Sequence, residues 1–295
     1  MAQCVLLNRI LELDDRESVF LAEESWQDLL YLPVTEQILE EGLDAEGCIE
    51  ISGLGWALHM KEPAQIWLLL TDRYSTRKIL PEETAAWQSR IIGRMEVSEE
   101  DFLLAVNEYL SLSLAGELFC QSCLLQTAPH YVEERIERLM HLLPPLLPDG
   151  GRLLEICGGS GMATQALLRL GRRPLTMDSD RCEVCQGLKA GGLDPKWSMV
   201  MDARLLSSIF PARSFRAVLG FMVGLIDDFN WPLWRDILLL SASLADERVL
   251  FTVYTQKEAE LIARALEEAG WRAEVIDNRD TKGIYDQWVC LAIRL

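Results

Sequence analysis

A glycine-rich turn between a predicted strand and a predicted helix is the segment of this chain best suited to bind a ligand. Residues 153–164 have the sequence LLEICGGSGMAT, in which the first four residues favour a buried strand and the last three begin a helix-forming run. Glycine lets the main chain approach a ligand without a Cβ atom in the way, and a helix N-terminus presents free N–H groups. The sequence therefore predicts a site for a nucleotide-like molecule at this turn.

Two carboxylates follow where further strands are predicted to end. Asp178 ends a strand predicted from Pro174 to Met177, and an acidic side chain there can accept hydrogen bonds from both ribose hydroxyls. Asp202 follows a strand predicted over residues 197–201, where a carboxylate can accept from an exocyclic adenine amine. The ligand expected from these two acids carries a ribose and an adenine ring.

Other motifs that share a glycine turn each fail at an identifiable position. A dinucleotide-binding G-x-G-x-x-G would need glycine where Thr164 stands, and a P-loop would need a lysine after the turn. A nucleophile elbow, G-x-S-x-G, would need glycine where Met162 stands. These absences leave an adenosine-type ligand as the favoured hypothesis.

The order of these elements resembles the class I S-adenosylmethionine-dependent methyltransferases. In that family an acid precedes a G-x-G-x-G turn, a second acid ends strand two, and an Asp-Ala-like pair follows strand three. Glu155, Asp178 and Asp202 match the three acids, whereas Cys157 stands where the first family glycine usually sits. The resemblance covers the C-terminal half of the chain and implies S-adenosylmethionine as cofactor.

The resemblance also implies the part of the cofactor that each residue serves. The turn and the acid before it shape the pocket for the amino-acid end, the acid of strand two holds the ribose, and the pair after strand three holds the adenine. A residue after strand four lines the transfer cleft together with Met222. The implied cofactor-binding residues are Glu155, Cys157, Gly159, Gly161, Asp178, Asp202, Ala203 and Phe221.

The elements that must position these residues follow from strands that alternate with helices downstream of the turn. Such alternation favours a parallel sheet covered on both faces. The last two strands, over 271–276 and 287–294, are joined by a segment too short for a parallel crossover, so they are predicted to be antiparallel. The resemblance implies an α/β fold: a seven-stranded Rossmann-like methyltransferase sheet with one antiparallel strand at the end.

The N-terminal half carries helical periodicity over most of its length, including residues 19–30, 82–95 and 99–123. Residues 48–60 are an exception and favour a short strand or loop. A proline- and glycine-rich stretch before strand one places the domain boundary at 145/146. We therefore predict a mainly helical domain over 1–145, acting as a cap, substrate or dimerisation domain, and a methyltransferase domain over 146–295.

Charge and composition limit the partners. The net charge is −18 and the excess of acid lies almost entirely in residues 1–150, which disfavours a nucleic-acid substrate. No apolar run is long enough to cross a membrane, and the N-terminus lacks the basic start of a signal peptide. Eight cysteines without framework spacing favour reduced thiols in a cytoplasmic protein.

Candidates for acid–base chemistry are few, because the chain holds three histidines and none of them lies after residue 150. His130, Tyr131 and Asp227 are the weak catalytic candidates, and structural roles are the competing explanation for His130 and Asp227. Two C-x-x-C pairs, Cys120 with Cys123 and Cys182 with Cys185, are more typical of helix faces than of a metal or redox site.

The predicted activity is methyl transfer by SN2 displacement to a small molecule or a protein side chain. The acceptor, its reacting atom and the oligomeric state, with a homodimer as one possibility, stay open. The alternative is a non-catalytic S-adenosylmethionine-binding subunit that docks a partner through its acidic N-terminal half.

Overall fold

The chain folds into two compact units, residues 1–119 and 120–295. The computed structural model describes residues 5–61, 64–116, 129, 131–281 and 283–294. Helix α6, Glu133–Leu142, falls in the second unit, because Ile136 and Leu139 are buried in the same core as strand residues of that unit. The proline-rich stretch that predicts a boundary at 145/146 follows this helix.

The first unit is a mixed α/β structure, so the expectation of a mainly helical N-terminal domain is not confirmed. Its helices are α1 Val5–Ile10, α2 Trp26–Tyr31, α3 Pro33–Glu41, α4 Ala85–Gln88 and α5 Glu99–Gly116. Its strands are β1 Val19–Leu21, β2 Gly47–Ile51, β3 Gly55–Met60, β4 Ile66–Leu70 and β5 Ile91–Met95. They form one sheet in the order β1-β4-β3-β2-β5.

Tertiary pairing explains why helical periodicity misled in this half. Strands β2, β3 and β4 form an antiparallel meander, and β1 and β5 join its two edges in parallel. Residues 82–95, predicted helical, contain only the short α4 before the chain extends into β5 beside β2. Apolar spacing in short segments fits either structure, and burial beside a partner strand decides between them.

The second unit holds the predicted seven-stranded sheet. Its strands are β6 Leu153–Ile156, β7 Pro174–Asp178, β8 Ser198–Val200, β9 Phe215–Gly220, β10 Ala245–Val253, β11 Trp271–Asp277 and β12 Trp288–Arg294. The helices after α6 are α7 Met162–Arg169, α8 Arg181–Lys189, α9 Leu206–Ile209, α10 Trp231–Ser243 and α11 Gln256–Glu268.

The direction of the last two strands also agrees with the prediction. The order is β11-β12-β10-β9-β6-β7-β8, and β12 runs antiparallel to both of its neighbours while the other pairs are parallel. All four residues of β6 are buried, as expected for a central strand covered on both faces. The carboxyl ends of β6, β7, β8 and β9 consequently lie at one edge of the sheet, where ligands bind in such folds. Among the described residues, no helix combines the length and apolar character needed to cross a membrane.

Candidate cofactor site

The turn that joins β6 to α7 needs a left-handed backbone at three positions. The φ angles are 53° at Cys157, 54° at Gly159 and 92° at Gly161. Glycine adopts this conformation freely, whereas cysteine pays for it in strain. Cys157 thus occupies a position where the backbone favours glycine.

Close packing fixes the turn against its surroundings. A Cβ atom added to Gly161 would lie 2.6 Å from Leu193 Cδ2, so any larger residue here would require that side chain to move. At Gly159 the nearest atom to such a Cβ would be an oxygen of Glu183, 3.8 Å away, which is an ordinary van der Waals distance. The turn is therefore packed tightly at Gly161 and more loosely at Gly159.

Glu155, the acid before the turn, is completely buried. Its Oε2 atom accepts hydrogen bonds from the hydroxyls of Thr164 at 2.7 Å and Thr176 at 2.9 Å, whereas Oε1 has no partner among the described residues. Burial raises the pKa of Glu155 to about 7, against the two hydroxyls and Arg135, which lower it, and with Asp178 adding to the rise. A buried carboxylate with one free oxygen favours a nearby cation or donor.

Asp178 is fixed in place at the end of β7. Its Oδ2 atom accepts from the main-chain N–H of Gly159 and its Oδ1 atom from that of Asp180, both at 2.8 Å. Each carboxylate oxygen can accept a further hydrogen bond. The half-buried side chain is thus oriented by two main-chain donors and retains capacity for hydroxyl groups.

Asp202 begins a short 3-10 helix, Ala203–Leu205, and its carboxylate caps that helix through the N–H of Arg204. The guanidinium of Arg204 also contacts both carboxylate oxygens, with Nε 3.0 Å from each. This ion pair holds the pKa of Asp202 below its ordinary value. Ala203 is buried beneath it. The acid predicted to meet the adenine amine therefore already has a basic neighbour.

Cys157 lies close to all three of these acids. Burial raises the pKa of its thiol to about 12, and the charges of Asp178, Asp202 and Glu155 add to the rise. The thiol is therefore protonated at neutral pH and is a poor nucleophile. The structure thus brings the turn and the three predicted acids together at the carboxyl ends of β6, β7 and β8.

The two residues after β9 extend this edge. Phe221 is buried, and Met222 adopts a left-handed backbone with φ of 55°. The N–H of Met222 donates to the hydroxyl of Thr252, near the end of β10, at 2.8 Å. A polar side chain inside β10 thus supports the segment predicted to line the transfer cleft.

The structure gives two of the three weak catalytic candidates other contacts. His130 lies outside the described residues. The hydroxyl of Tyr131 donates to the carbonyl of Ser160 in the turn at 2.8 Å, and burial, with a smaller contribution from Glu183, raises the pKa of this phenol. Asp227 accepts hydrogen bonds from the N–H groups of Phe229 and Asn230 just before α10, which is a structural turn.

Sequence reasoning missed a buried ion pair in this unit. Nε of Arg135 in α6 lies 2.7 Å from Oδ2 of Asp286, and its Nη2 lies 3.2 Å from Oδ1. The two residues are 151 positions apart. No local pattern links residues at that separation. The one available signal is an acid two residues before the apolar strand β12.

The cysteine pairs contribute no described metal site. Cys182 and Cys185 both lie on α8, and Cys185 is buried. Cys120 and Cys123 lie outside the described residues. Within the part of the chain that the structure describes, no group of three or more potential ligands could hold a metal ion.

Comparisons with known proteins leave the activity of this chain open. No family profile and no curated relative matches the chain. An S-adenosylmethionine-dependent methyltransferase from Archaeoglobus fulgidus is similar over 55% of this chain and 94% of that one, with 13% identity and a TM-score of 0.42.

Two further solved structures are similar at the same level. Magnesium protoporphyrin IX methyltransferase from Synechocystis, solved with bound S-adenosylmethionine, is 14% identical over 68% of this chain and 86% of that one, with a TM-score of 0.40. A methyltransferase from Methanosarcina mazei is 13% identical over 52% of this chain and 97% of that one, with a TM-score of 0.39. Similarity this low supports no conclusion about activity or substrate.

Proposed function

We propose that this chain is an S-adenosylmethionine-dependent methyltransferase. The observation that supports it best is the convergence, at one edge of the sheet, of a left-handed glycine turn and three carboxylates with different surroundings. Asp178 is oriented by two main-chain donors, Asp202 is ion-paired, and Glu155 is buried with one oxygen free. A cationic adenosine derivative matches this set of acceptors.

Each group then has a distinct task. Asp178 accepts from the ribose hydroxyls, and Asp202 accepts from the adenine amine after Arg204 shifts aside. The more loosely packed part of the turn, at Gly159, admits the amino-acid end, and Glu155 beneath it compensates the positive charge of the ligand. The Cys157 thiol is protonated and uncharged, so the negative charge of the site comes from its carboxylates.

When bound, S-adenosylmethionine supplies an electrophilic methyl carbon on a positively charged sulfur, and the transfer leaves a neutral thioether. The protein aligns the acceptor with that carbon and excludes water. Phe221 and Met222 lie after β9 at the same edge and are proposed to line the place where the acceptor approaches. A base is needed only for an acceptor that begins protonated.

The acceptor class follows from charge. Nearly all the excess acid of the chain lies in residues 1–150. An acidic surface favours a cationic small molecule or a basic protein segment over a phosphate polymer.

Calorimetric titration of the full chain with S-adenosylmethionine, followed by a methyl-donor assay with a cell extract as acceptor source, tests the proposal. Binding together with release of S-adenosylhomocysteine supports it. Binding without turnover favours a non-catalytic subunit that docks a partner, and absence of binding removes both functions.

A further inference from the structure

The backbone at Met222 is strained, and two buried side chains hold it. A φ of 55° is unfavourable for a residue that carries a Cβ atom, and such strain persists only where the surrounding structure imposes it. The N–H of Met222 donates to Thr252 Oγ1 at 2.8 Å. Thr252 is completely buried in β10.

The hydroxyl of Thr252 also makes a hydrogen bond with Asp286. Its single proton is donated to Asp286 Oδ1 at 2.6 Å, so its oxygen is free to accept from Met222. Asp286 is itself completely buried and left-handed, with φ of 53°, and its N–H contacts the sulfur of Met222. The two strained residues are therefore joined twice, once through Thr252 and once directly.

Arg135 balances the charge of Asp286 and extends the chain of contacts to the turn. Its side chain is only 9% exposed and donates to both oxygens of Asp286. Its Nη1 atom lies 3.3 Å from the sulfur of Met162, the first residue of α7. The ring of Tyr285 packs on the guanidinium, with the ring centroid 4.9 Å from its central carbon.

Stability alone is a weak explanation for this arrangement. Desolvation offsets most of the gain from a buried ion pair, and apolar side chains of similar volume often stabilise a core as well or better. A buried pair that ends on a strained backbone, at the edge where the cofactor turn lies, is better explained by geometry.

We propose that Thr252 and Asp286 are positioning residues for methyl transfer. They hold Met222, and with it the segment after β9, in the left-handed conformation that faces the acceptor. Arg135 fixes the orientation of the Asp286 carboxylate and connects it to Met162 at the start of α7. This inference rests on the proposed methyltransferase activity and deepens it.

Substitutions at Thr252 test the inference with nearly constant volume. Thr252→Val removes the hydroxyl and breaks the connection, whereas Thr252→Ser retains it. We expect T252V to bind S-adenosylmethionine within twofold of the wild type in calorimetry and to release S-adenosylhomocysteine at least tenfold more slowly with a cell extract. T252S is expected to restore the rate to within threefold.

Ser198→Ala is the matched control for the loss of a buried hydroxyl. Ser198 is buried at the amino end of β8, and its hydroxyl donates to the carbonyl of Asp194 at 2.8 Å. It should lower the midpoint of thermal unfolding without lowering the rate per folded molecule. If T252V does not fold, Asp286→Asn replaces it, because asparagine tolerates the left-handed backbone but leaves Arg135 without a counter-charge. D286N should lower the rate and leave cofactor affinity within twofold.

The outcomes separate the two proposals. A wild-type chain that binds no S-adenosylmethionine ends the proposed function itself. A wild-type chain that turns over, with T252V or its replacement D286N equally fast, overturns the positioning role alone. A chain that binds the cofactor but never transfers its methyl group also overturns that role, because there is then no transfer to position.

Discussion

The main-chain N–H of Gly159 donates a hydrogen bond to Oδ2 of Asp178 at 2.8 Å, which joins the turn after β6 to the end of β7. The N–H of Asp180 fixes the other oxygen of the same carboxylate. A carboxylate held by two donors has its remaining lone pairs in fixed directions, so little ordering is left to occur when a ligand binds.

We expect Asp178→Ala to weaken S-adenosylmethionine binding at least about tenfold, because hydrogen bonds to a charged group contribute about 1.5–3 kcal/mol each. The fold should persist, since the turn loses a single acceptor at a half-buried site. Calorimetric titration measures the affinity and circular dichroism the folded state.

Asp246→Ala is the control for that variant. Asp246 lies near the start of β10, at the opposite edge of the sheet, and is exposed. D178A with the affinity of D246A would show that the end of β7 does not hold the ribose.

The buried Glu155 predicts that stability depends on pH between about 4.5 and about 7. Its pKa is raised from 4.5 to about 7 in the folded chain, so the folded state binds a proton that the unfolded state has lost in this range. The stabilisation is complete below the unfolded value and is lost as the pH rises through the folded one, by an amount on the order of 3 kcal/mol.

Glu155→Gln should remove this dependence. Urea unfolding of both proteins at pH 5 and pH 7.5 measures it, and E155Q should gain stability relative to the wild type at the higher pH. A difference between the two proteins that stays the same at both pH values would contradict the assignment.

The sheet of the second unit could be predicted from sequence because its signals are local. Short apolar strands, helices that end at glycine and a short connection before β12 each occur within a few residues. The acids of the site follow from the same logic, since parallel strands bring their carboxyl ends to one edge.

The rest depended on contacts between distant residues. β5 is a strand because it pairs with β2, although its sequence fits a helix as well. The pair Arg135–Asp286 has no local signature, and the engagement of Asp202 by Arg204 is a choice of rotamer that spacing does not fix. Sequence patterns thus located the candidate site without the side chains that hold it in position.

The left-handed backbone at Cys157 predicts that Cys157→Gly stabilises the chain. Relief of the strain is worth about 1–2 kcal/mol, and the greater freedom of glycine in the unfolded chain offsets about 0.5–1 kcal/mol of it. Cys157→Val should destabilise, because a branched side chain fits this conformation poorly. Urea unfolding of the three proteins should give the order Gly, Cys, Val in decreasing stability. Valine as stable as cysteine would show that the backbone relaxes at this turn.

The ion pair of Asp202 with Arg204 predicts a modest effect on cofactor affinity that changes with pH. Removing Arg204 in an Arg204→Ala variant frees both oxygens of Asp202 for the adenine amine. Because exposed ion pairs are weak, the affinity for S-adenosylmethionine at pH 7.5 should rise by no more than about fivefold.

The Arg204→Ala change also returns the pKa of Asp202 toward its ordinary value, since Arg204 is the main cause of its lowering. As the pH falls, Asp202 in R204A is therefore protonated before the wild-type side chain and loses its acceptor first. Titrations at pH 7.5 and at about pH 4 should show the variant binding more tightly at the higher pH and losing more affinity at the lower one. Arg279→Ala, which removes a similar exposed pair with Asp277 on β11, is the control. Equal behaviour of the two variants would show that Asp202 does not bind the cofactor.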